Sequence, residues 1–346
     1  MGPKRKQRLS SIMLQYGLST YDIHSCRSIY KKIAAYRVLT DKGTFLLKPF
    51  KGTKARLKRV YARNLWLKKH SFNNMPQWLT TRKGKHWTEK NGRLYYVTEW
   101  IDGSTLGENG EDYERLGEVL AQLHLISRRR SLELPSFTIM EIDRFKRHHR
   151  RFARHLPAIR NKRDEVGMWF REQGEQCLSL AEEAWTTLRR PDVLRILQME
   201  KPTYIHGDVT SPNVILNSDG VYLVDWELSR RGSAYYEIAK TFNNVANFSV
   251  PTLKAFLAGY EKQWPLTSEE RLIIASLSRL PREAWFAARQ IRSGMQPTIF
   301  KVLKETWPKR MEVIRWLDEW ARPQPQEPVN KAVPVPEEGG SDIVVS

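Results

Sequence analysis

The chain of 346 residues has only two cysteines, Cys26 and Cys177, and they lie far apart in the sequence. A disulfide framework needs more cysteines than this, and free thiols are typical of proteins that stay in a reducing compartment. The chain also lacks a run of roughly eighteen apolar residues, as a membrane-spanning helix requires. No apolar stretch follows the basic N-terminus, as a secretory signal would have. We therefore expect synthesis in the cytoplasm, no export by a signal peptide and no transmembrane segment.

Acidic residues are scarce and unevenly placed. None occurs from Lys42 to Thr88, whereas nine of the twenty residues from Arg144 to Arg163 are Lys or Arg. The net charge is +20, and because the tail Pro323–Ser346 carries −3, residues 1–322 carry +23. Such a field attracts polyanions such as nucleic acid, anionic lipid or another anionic polymer, and also a nucleotide or a phosphorylated substrate; a solvated basic surface is an equally weighted alternative. Nucleic acid is disfavoured as a partner because no zinc-finger, RRM or KH motif is present.

Local patterns predict an α+β protein. Alternating apolar residues predict two hairpins, one at Ala34–Lys48 around Asp41-Lys42-Gly43 and one at His86–Trp100 around Asn91-Gly92. Between them, helical spacing of apolar residues predicts a helix over Lys54–His70 with a basic outer face. Further apolar stripes predict helices over Tyr113–Ile126 and Val166–Leu188. The tail from Arg322 is rich in Pro and Glu, which predicts disorder.

One strand pair stands inside the helical region, and three polar residues surround it. The strands Val214–Leu216 and Val221–Val224 are joined by Asn217-Ser218-Asp219-Gly220, a strong turn signal. Asp208 and Asn213 precede the pair, and Asp225 follows it. Because a hairpin brings its two ends together, we expect Asn213 and Asp225 to lie side by side. We call Asp208, Asn213 and Asp225 the polar trio.

The chemistry of the polar trio indicates phosphoryl transfer. The oxygens of Asn213 and Asp225 would form the kind of hard-ligand site that Mg²⁺ prefers. Asp208 on the loop that leads in could orient and deprotonate an attacking hydroxyl. A metal ion and a base are the groups that phosphoryl transfer needs. The alternative is that these residues only cap turns and end a strand; the combined pattern is more specific than that explanation requires.

At these residues the sequence resembles a known family. The segments His206–Asn213 and Leu223–Glu227 are similar to the aminoglycoside phosphotransferase and choline kinase superfamily. Similarity covers most of residues 20–320: Tyr96–Gly103 resembles the hinge between the lobes, and Leu116–His124 resembles the helix after it. Within the superfamily, the closest resemblance is to CotS-type spore coat proteins of endospore-forming bacteria. That narrower resemblance rests on the segments Phe45–Gly52 and Arg230–Gly232.

The resemblance implies a protein-kinase-like fold with two lobes. Residues 1–103 would form an N-lobe of antiparallel strands and one helix on the nucleotide side. Residues 104–321 would form a helical C-lobe with the catalytic loop and the metal-binding hairpin, and residues 322–346 a disordered tail. The cofactors implied are ATP and Mg²⁺.

The resemblance also implies roles for individual residues. Asp208 would be the catalytic base, and Asn213 and Asp225 the metal ligands. Lys48 would pair with the ATP phosphates, and backbone groups of the hinge at Glu99 and Ile101 would hold adenine. His206 is expected to hold the catalytic loop by a backbone hydrogen bond.

Three departures from the family pattern concern the nucleotide side and the catalytic loop. Ile23–Asp41 has no glycine, so Cys26-Arg27-Ser28 stands where a phosphate-binding loop is expected. The helix Lys54–His70 has no acid to pair with Lys48. Finally, Glu237 stands where the superfamily has an aspartate that braces the catalytic loop.

Three functions follow as hypotheses. The first is an ATP- and Mg²⁺-dependent kinase that acts on an unknown small-molecule hydroxyl and is associated with the spore coat. The second is a weak or inactive pseudokinase that serves as a structural coat component, with other coat proteins as partners. The third is binding of an anionic polymer by Arg144–Arg163. Aminoglycosides are disfavoured as substrates because a cationic drug should meet an acidic pocket.

Overall fold

The computed structural model describes residues 2–28, 31–128, 136–245, 248–295 and 298–322. The tail predicted to be disordered lies outside the described residues, apart from Arg322. Within these ranges the protein has an antiparallel sheet near its N-terminus and a mostly helical remainder. The predicted α+β, kinase-like fold class is thereby confirmed, with the structural neighbours given below.

The N-terminal sheet has five strands in the order β1-β2-β3-β5-β4, all antiparallel. The strands are β1 Thr20–Ser28, β2 Lys31–Thr40, β3 Gly43–Phe50, β4 Thr88–Lys90 and β5 Arg93–Glu99. Both predicted hairpins are present. Asn91 and Gly92 have φ angles of 51° and 65°, as a tight hairpin turn requires.

Two helices pack on this sheet, where the sequence predicted one. Helix α2 (Lys54–Lys69) occupies the predicted range, but helix α1 (Pro3–Met13) was missed. Four of its first six residues are basic, so the N-terminus was interpreted only by its charge. Leu9, Ile12 and Met13 are fully buried against the sheet, and this packing makes α1 part of the N-terminal core.

The rest of the described chain is built from helices and five short strands, which form a three-stranded sheet in the order β6-β8-β9 and a two-stranded sheet of β7 and β10. The helices are α3 Gly110–Arg128, α4 Phe137–Arg160, α5 Glu165–Leu188, α6 Pro191–Met199, α7 Ala234–Val245, α8 Val250–Gln263, α9 Ser268–Arg279, α10 Arg282–Arg292 and α11 Thr298–Trp320. The strands are β6 Ser104–Thr105, β7 Thr203–Ile205, β8 Val214–Asn217, β9 Gly220–Leu223 and β10 Arg230–Gly232. Helices α3 and α5 cover the predicted stripes. Among the described residues, no helix combines the length and the apolar character needed to cross a membrane.

Helices α3 and α8 approach each other closely enough to require glycine. A Cβ on Gly117 would lie 2.0 Å from the carbonyl oxygen of Phe256, and one on Gly259 would lie 1.9 Å from that of Glu114. Real Cβ atoms do not tolerate such distances to backbone oxygen. The pair fixes α3 beneath the loop that carries Asp208, since α3 also packs on β7 and β9.

The predicted strand pair β8–β9 is a hairpin with Val214 opposite Leu223 and Asn217 opposite Gly220. One further backbone hydrogen bond extends the hairpin beyond β8 and β9, from the N–H of Val224 to the carbonyl oxygen of Asn213 at 2.9 Å. Asp225 follows directly. The register therefore brings Asn213 beside the segment that carries Asp225, as the sequence predicted.

Candidate active site

The loop that leads to Asp208 is held in a conformation that few residues can adopt. Gly207 has a φ of +81°, and a Cβ there would lie 2.6 Å from the carbonyl oxygen of Leu228. His206 is fully buried, and its Nε2–H donates to the carbonyl oxygen of Val224 at 2.9 Å. Its Nδ1 accepts the backbone N–H of Asp208 at 3.3 Å. Burial lowers the pKa of His206, which favours the neutral ring that this pairing needs. The expected backbone hydrogen bond of His206 is thus present.

Glu237 braces this loop from helix α7. Its carboxylate accepts the backbone N–H of His206 at 3.0 Å and that of Gly207 at 2.6 Å. It also lies 3.0 Å from Nε2 of His124, whose Nδ1 is 2.9 Å from the Tyr260 hydroxyl. Burial opposes ionisation of Glu237, but His124, His206 and the Gly207 N–H together outweigh it and lower the pKa of Glu237. Glutamate at this position departs from the family pattern, but its carboxylate still accepts two hydrogen bonds from the backbone of the loop.

Asn213 lies directly against Asp208. Its side-chain Nδ2 donates to the carbonyl oxygen of Asp208 at 2.9 Å and to the carboxylate Oδ2 at 3.2 Å. The amide nitrogen is thus engaged, and the oxygen Oδ1 is the atom that could bind a cation. Two members of the polar trio are in direct contact, and the β8–β9 register places the third beside them.

Lys48 joins the N-terminal sheet to Asp225. The side chain is almost fully buried, and its Nζ lies 2.5 Å from Oδ1 of Asp225 and 3.4 Å from Oε1 of Glu227. The Tyr96 hydroxyl donates to the same Glu227 oxygen at 3.1 Å. Helix α2 indeed supplies no acid, but Glu227 provides a second carboxylate from the other side. This role of Glu227 was not predicted from the sequence, although Glu227 stands only two residues after Asp225.

Asp225 sits at a strained turn with a lowered pKa. Its φ of +65° is uncommon for a residue other than glycine, and it begins a short 3₁₀ turn, Trp226–Leu228. Burial opposes ionisation of Asp225, but the Lys48 ammonium outweighs it, so the pKa is lower than usual. An ionised carboxylate at a strained, partly exposed position is suited to binding a cation.

The basic face of α2 is only partly a solvent face. Arg56 Nη2 donates to the carbonyl oxygen of Glu227 at 3.3 Å, and Arg63 Nε donates to Oγ of Ser229 at 3.3 Å. Burial lowers the pKa of Arg63. These arginines attach α2 to the segment after Asp225, so part of its basic face makes tertiary contacts.

A second residue missed from the sequence is Lys240 on α7. Its Nζ lies 3.7 Å from Oδ1 of Asp208 and also donates to the carbonyl oxygen of Gly207. No motif marks this residue. The available signal is its position on the helix that starts beside Glu237, three residues after it. Lys240 places a cation next to the carboxylate of Asp208.

The segment expected to be the hinge follows β5. The backbone N–H of Glu99 donates to the carbonyl oxygen of Gln77 at 3.0 Å, and its carboxylate accepts the N–H of Gln77 at 3.0 Å. The N–H of Glu99 is therefore engaged, and its carbonyl oxygen accepts the neighbouring Thr98 hydroxyl at 3.1 Å. Ile101 lies between β5 and β6 and is half-buried.

The segment expected to replace the phosphate loop lies at the end of β1. Cys26 is half-buried, and burial raises the pKa of its thiol. The β1–β2 pairing extends to Ser28 and Lys31 with a register shift between Cys26 and Ser28. Ile29 and Tyr30 lie outside the described residues, as do the side chains of Arg27 and Ser28.

The oxygen atoms of Asn213 and Asp225 fit Mg²⁺ only if water and phosphate oxygens complete its coordination. Among the described residues, no three His, Cys, Asp or Glu side chains form a metal cluster. One carboxamide oxygen and one ionised carboxylate remain, which suits an ion that keeps waters and binds phosphate oxygens. The residues present therefore fit a metal that arrives with a nucleotide.

Comparison with solved structures supports the kinase-like fold. An aminoglycoside phosphotransferase from Alicyclobacillus acidocaldarius matches with a TM-score of 0.79 and 17% identity, covering 93% of this chain and 96% of that one. The spectinomycin phosphotransferase APH(9)-Ia, in complex with ADP and spectinomycin, has a TM-score of 0.59 and 15% identity, with 93% and 96% covered. The choline kinase LicA from Streptococcus pneumoniae has a TM-score of 0.53 and 14% identity, with 90% and 99% covered.

Comparison by sequence gives the family. A search of curated proteins finds no match. The model of the phosphotransferase enzyme family, APH, matches residues 33–272, which include Lys48, the hinge segment and the polar trio. Because this match spans more than half of the chain, the protein belongs to the APH phosphotransferase enzyme family.

Proposed function

We propose that this protein is a kinase that transfers a phosphoryl group from ATP, with Mg²⁺, to a hydroxyl of a small molecule. The observation that carries the proposal is the bridge from buried Lys48 to Asp225 and Glu227. It joins the sheet to the hairpin on which two members of the polar trio lie. The third, Asp208, is fixed from α7 through Glu237. The division into lobes at residue 103 and the ends of the lobes belong to this proposal.

Each residue has a distinct task in this proposal. Asp208 orients the acceptor hydroxyl and takes its proton. Oδ1 of Asn213 and the carboxylate of Asp225 hold Mg²⁺, which neutralises phosphate charge when it is bound. Lys48 binds phosphate oxygens, and Glu227 keeps its ammonium group in place. The carbonyl oxygen of Glu99 and the N–H of Ile101 bind adenine.

The absence of glycine in Ile23–Asp41 favours a slow enzyme over a fast one. Glycine-rich loops let backbone amides approach phosphates, and side chains in β1 and β2 reduce that approach. Cationic side chains must then neutralise more of the negative charge of the phosphates. Lys48 and Lys240 each pair with a member of the polar trio, Lys48 with Asp225 and Lys240 with Asp208.

Asp208→Asn is the direct test. We expect turnover of ATP to fall by about 10²–10⁴-fold because the base is removed, while a thermal shift with ATP and Mg²⁺ persists. Asp225→Asn should abolish that thermal shift. Asp219→Asn is the matched control, since Asp219 is exposed in the turn of the same hairpin, and it should leave both readouts unchanged. Wild-type turnover in Asp208→Asn would refute the proposal.

A structural role in the spore coat is the second candidate. It rests on the missing glycines and on the resemblance of Phe45–Gly52 and Arg230–Gly232 to CotS-type proteins. The same variants separate the two candidates when they are expressed during sporulation. Normal coat assembly with lost phenotype in Asp208→Asn favours a kinase located in the coat; an unchanged phenotype in Asp208→Asn and Asp225→Asn favours a structural component.

A further inference from the structure

A cavity of about 400 Å³ lies between helices α4 and α10, outside the polar trio. This volume is within the range of small-molecule sites. Its floor is aromatic, because Phe145, Phe152 and Trp285 line it and are buried. Flat apolar side chains at the bottom of a cavity can hold an apolar ring or chain.

The walls of this cavity are cationic. Positions 144, 148, 151 and 155 recur at helical spacing, so they share one face of α4. Helix α10 faces them with arginines at 282, 289 and 292. Among the residues that the structure describes, no acidic side chain lines the cavity. The cationic lining residues are Arg144, Arg151, Arg282, Arg289 and Arg292, whereas the pKa values of the lining histidines His148 and His155 are lowered by burial and by nearby arginines.

Most of these cations have no anionic partner. Within the described part of the chain, Arg144 is paired with Glu141, but the other four arginines of the cavity form no ion pair with an acid. Burial lowers the pKa of His148, and the nearby Arg144, Arg289 and Arg151 lower it further. Converging unpaired cations above an apolar floor attract an anion more strongly than the same charges dispersed on a surface.

The cavity borders the helix that contacts Asp208. Arg144 Nη2 donates to the Tyr236 hydroxyl at 3.4 Å, and Arg282 Nη2 donates to the carbonyl oxygen of Ala239 at 3.4 Å. Lys240, which lies 3.7 Å from Asp208, is four residues after Tyr236. Residues four apart on a helix project from the same face. Arg144, which lines the cavity, therefore contacts a residue that lies one helical turn before Lys240.

We propose that this cavity binds a small molecule with at least one anionic group and a flat apolar body. Resting on the proposed function, that molecule is the phosphate acceptor. The anionic group contacts the arginines, and the apolar body lies on Phe145, Phe152 and Trp285. The basic segment Arg144–Arg163 thus contains one specific face, and its other cations are surface charges.

The first experiment measures binding without any nucleotide. The probe is 8-anilinonaphthalene-1-sulfonate, an anion with a flat aromatic body, titrated by fluorescence into the full chain. The cavity variant replaces three exposed rim residues, Arg151→Gln, Arg289→Gln and Arg292→Gln. The control variant removes the same charge from α4 outside the cavity. It carries Arg147→Gln, Arg150→Gln and Arg154→Gln, which are exposed and do not line the cavity.

We expect the cavity variant to weaken dye binding by about tenfold and the control variant by less than about twofold. Thioflavin T, a cationic dye, should bind neither variant nor the wild type appreciably. Equal losses in both variants would show that only the general charge matters and would overturn the proposal. Thermal unfolding of both variants checks that the fold is intact.

The second experiment tests whether the cavity binds the molecule that accepts the phosphoryl group. Labelled ATP is supplied with aromatic hydroxy acids as anionic acceptors and with amino alcohols as cationic ones. Transfer to the anionic set, with a raised acceptor KM and an unchanged kcat in the cavity variant, supports the proposal. Transfer with wild-type KM in that variant contradicts it. Asp208→Asn should lose transfer but keep dye binding, so a failed kinase hypothesis and a failed cavity hypothesis give different results.

Discussion

At the scale of single residues, the polar trio was predictable and the partners of Lys48 were not. Asn213 and Asp225 flank a hairpin whose turn residues are explicit, so the register could be deduced. Glu227 is distant from Lys48 in sequence, and only the packing of the sheet on the hairpin brings them within 3.4 Å. The missing acid on α2 was therefore observed correctly, but its consequence was overestimated. Lys240 was missed for the same reason, since its contact with Asp208 is purely tertiary.

Glu227→Gln tests the second partner of Lys48. Glutamine keeps an oxygen that can accept from Tyr96 but removes the charge near a buried ammonium group. We expect a loss of about 1–2 kcal/mol in the free energy of unfolding and a rise of about tenfold in the KM for ATP. Urea unfolding and initial-rate measurements give these values. Glu89→Gln, an exposed change on β4, is the control; identical behaviour of the two variants would show that Glu227 does not position Lys48.

At the scale of elements, the periodicity of apolar residues predicted helices α2, α3 and α5 and the hairpins. It did not predict helix α1 or the tertiary contacts made by the basic face of α2. The buried residues of α1 begin only at Leu9, after four basic residues, so the chain ahead of Leu9 carries no apolar pattern. The basic face of α2 contacts Glu227 and Ser229, which no periodicity could distinguish from a solvent face. The packing of helices on one another could not be predicted from the sequence either. A glycine within a helix indicates a close contact only when the helix packed against it is known.

Gly259→Ala tests the contact between α3 and α8. The new Cβ would lie 1.9 Å from the carbonyl oxygen of Glu114, so the helices must separate. We expect a loss of about 3 kcal/mol in the free energy of unfolding, measured by urea denaturation. Gly110→Ala adds the same methyl group between the same helices at 3.7 Å from Ala255, an ordinary contact. It should change stability by less than about 1 kcal/mol; equal losses in both would contradict the packing explanation.

At the scale of the whole molecule, the charge distribution was predictable and its organisation was not. The sequence showed a basic segment at Arg144–Arg163, but α10 completes the cavity, and its arginines lie more than one hundred residues further along the chain. A net charge of +20 also increases in acid as carboxylates bind protons. Self-repulsion then adds to the loss of interactions that need ionised or neutral groups in the fold.

Stability should therefore decrease as pH falls below neutrality. His206 has a folded pKa below its usual 6.5, so the stability it contributes is complete above pH 6.5 and is lost as pH falls through the folded value. The folded pKa of Glu237 is likewise below its usual 4.5, so the stability that its ionised form contributes is complete above pH 4.5 and is lost as pH falls further. The pKa of Glu261 is raised by burial, and this group acts in the opposite direction. Four more histidines also have lowered pKa values: His86, His148, His149 and His155.

Urea denaturation between pH 8 and pH 4 measures this dependence. We expect a nearly constant free energy of unfolding from about pH 8 to 7, a decline that begins near pH 6.5, and a steeper decline below about pH 4.5. Glu237→Gln should lower stability at neutral pH, because the loop N–H groups of His206 and Gly207 lose a charged acceptor, and should reduce the steeper decline. Constant stability from pH 7 to pH 4 would mean that the neutral His206 and the ionised Glu237 do not hold the loop that carries Asp208.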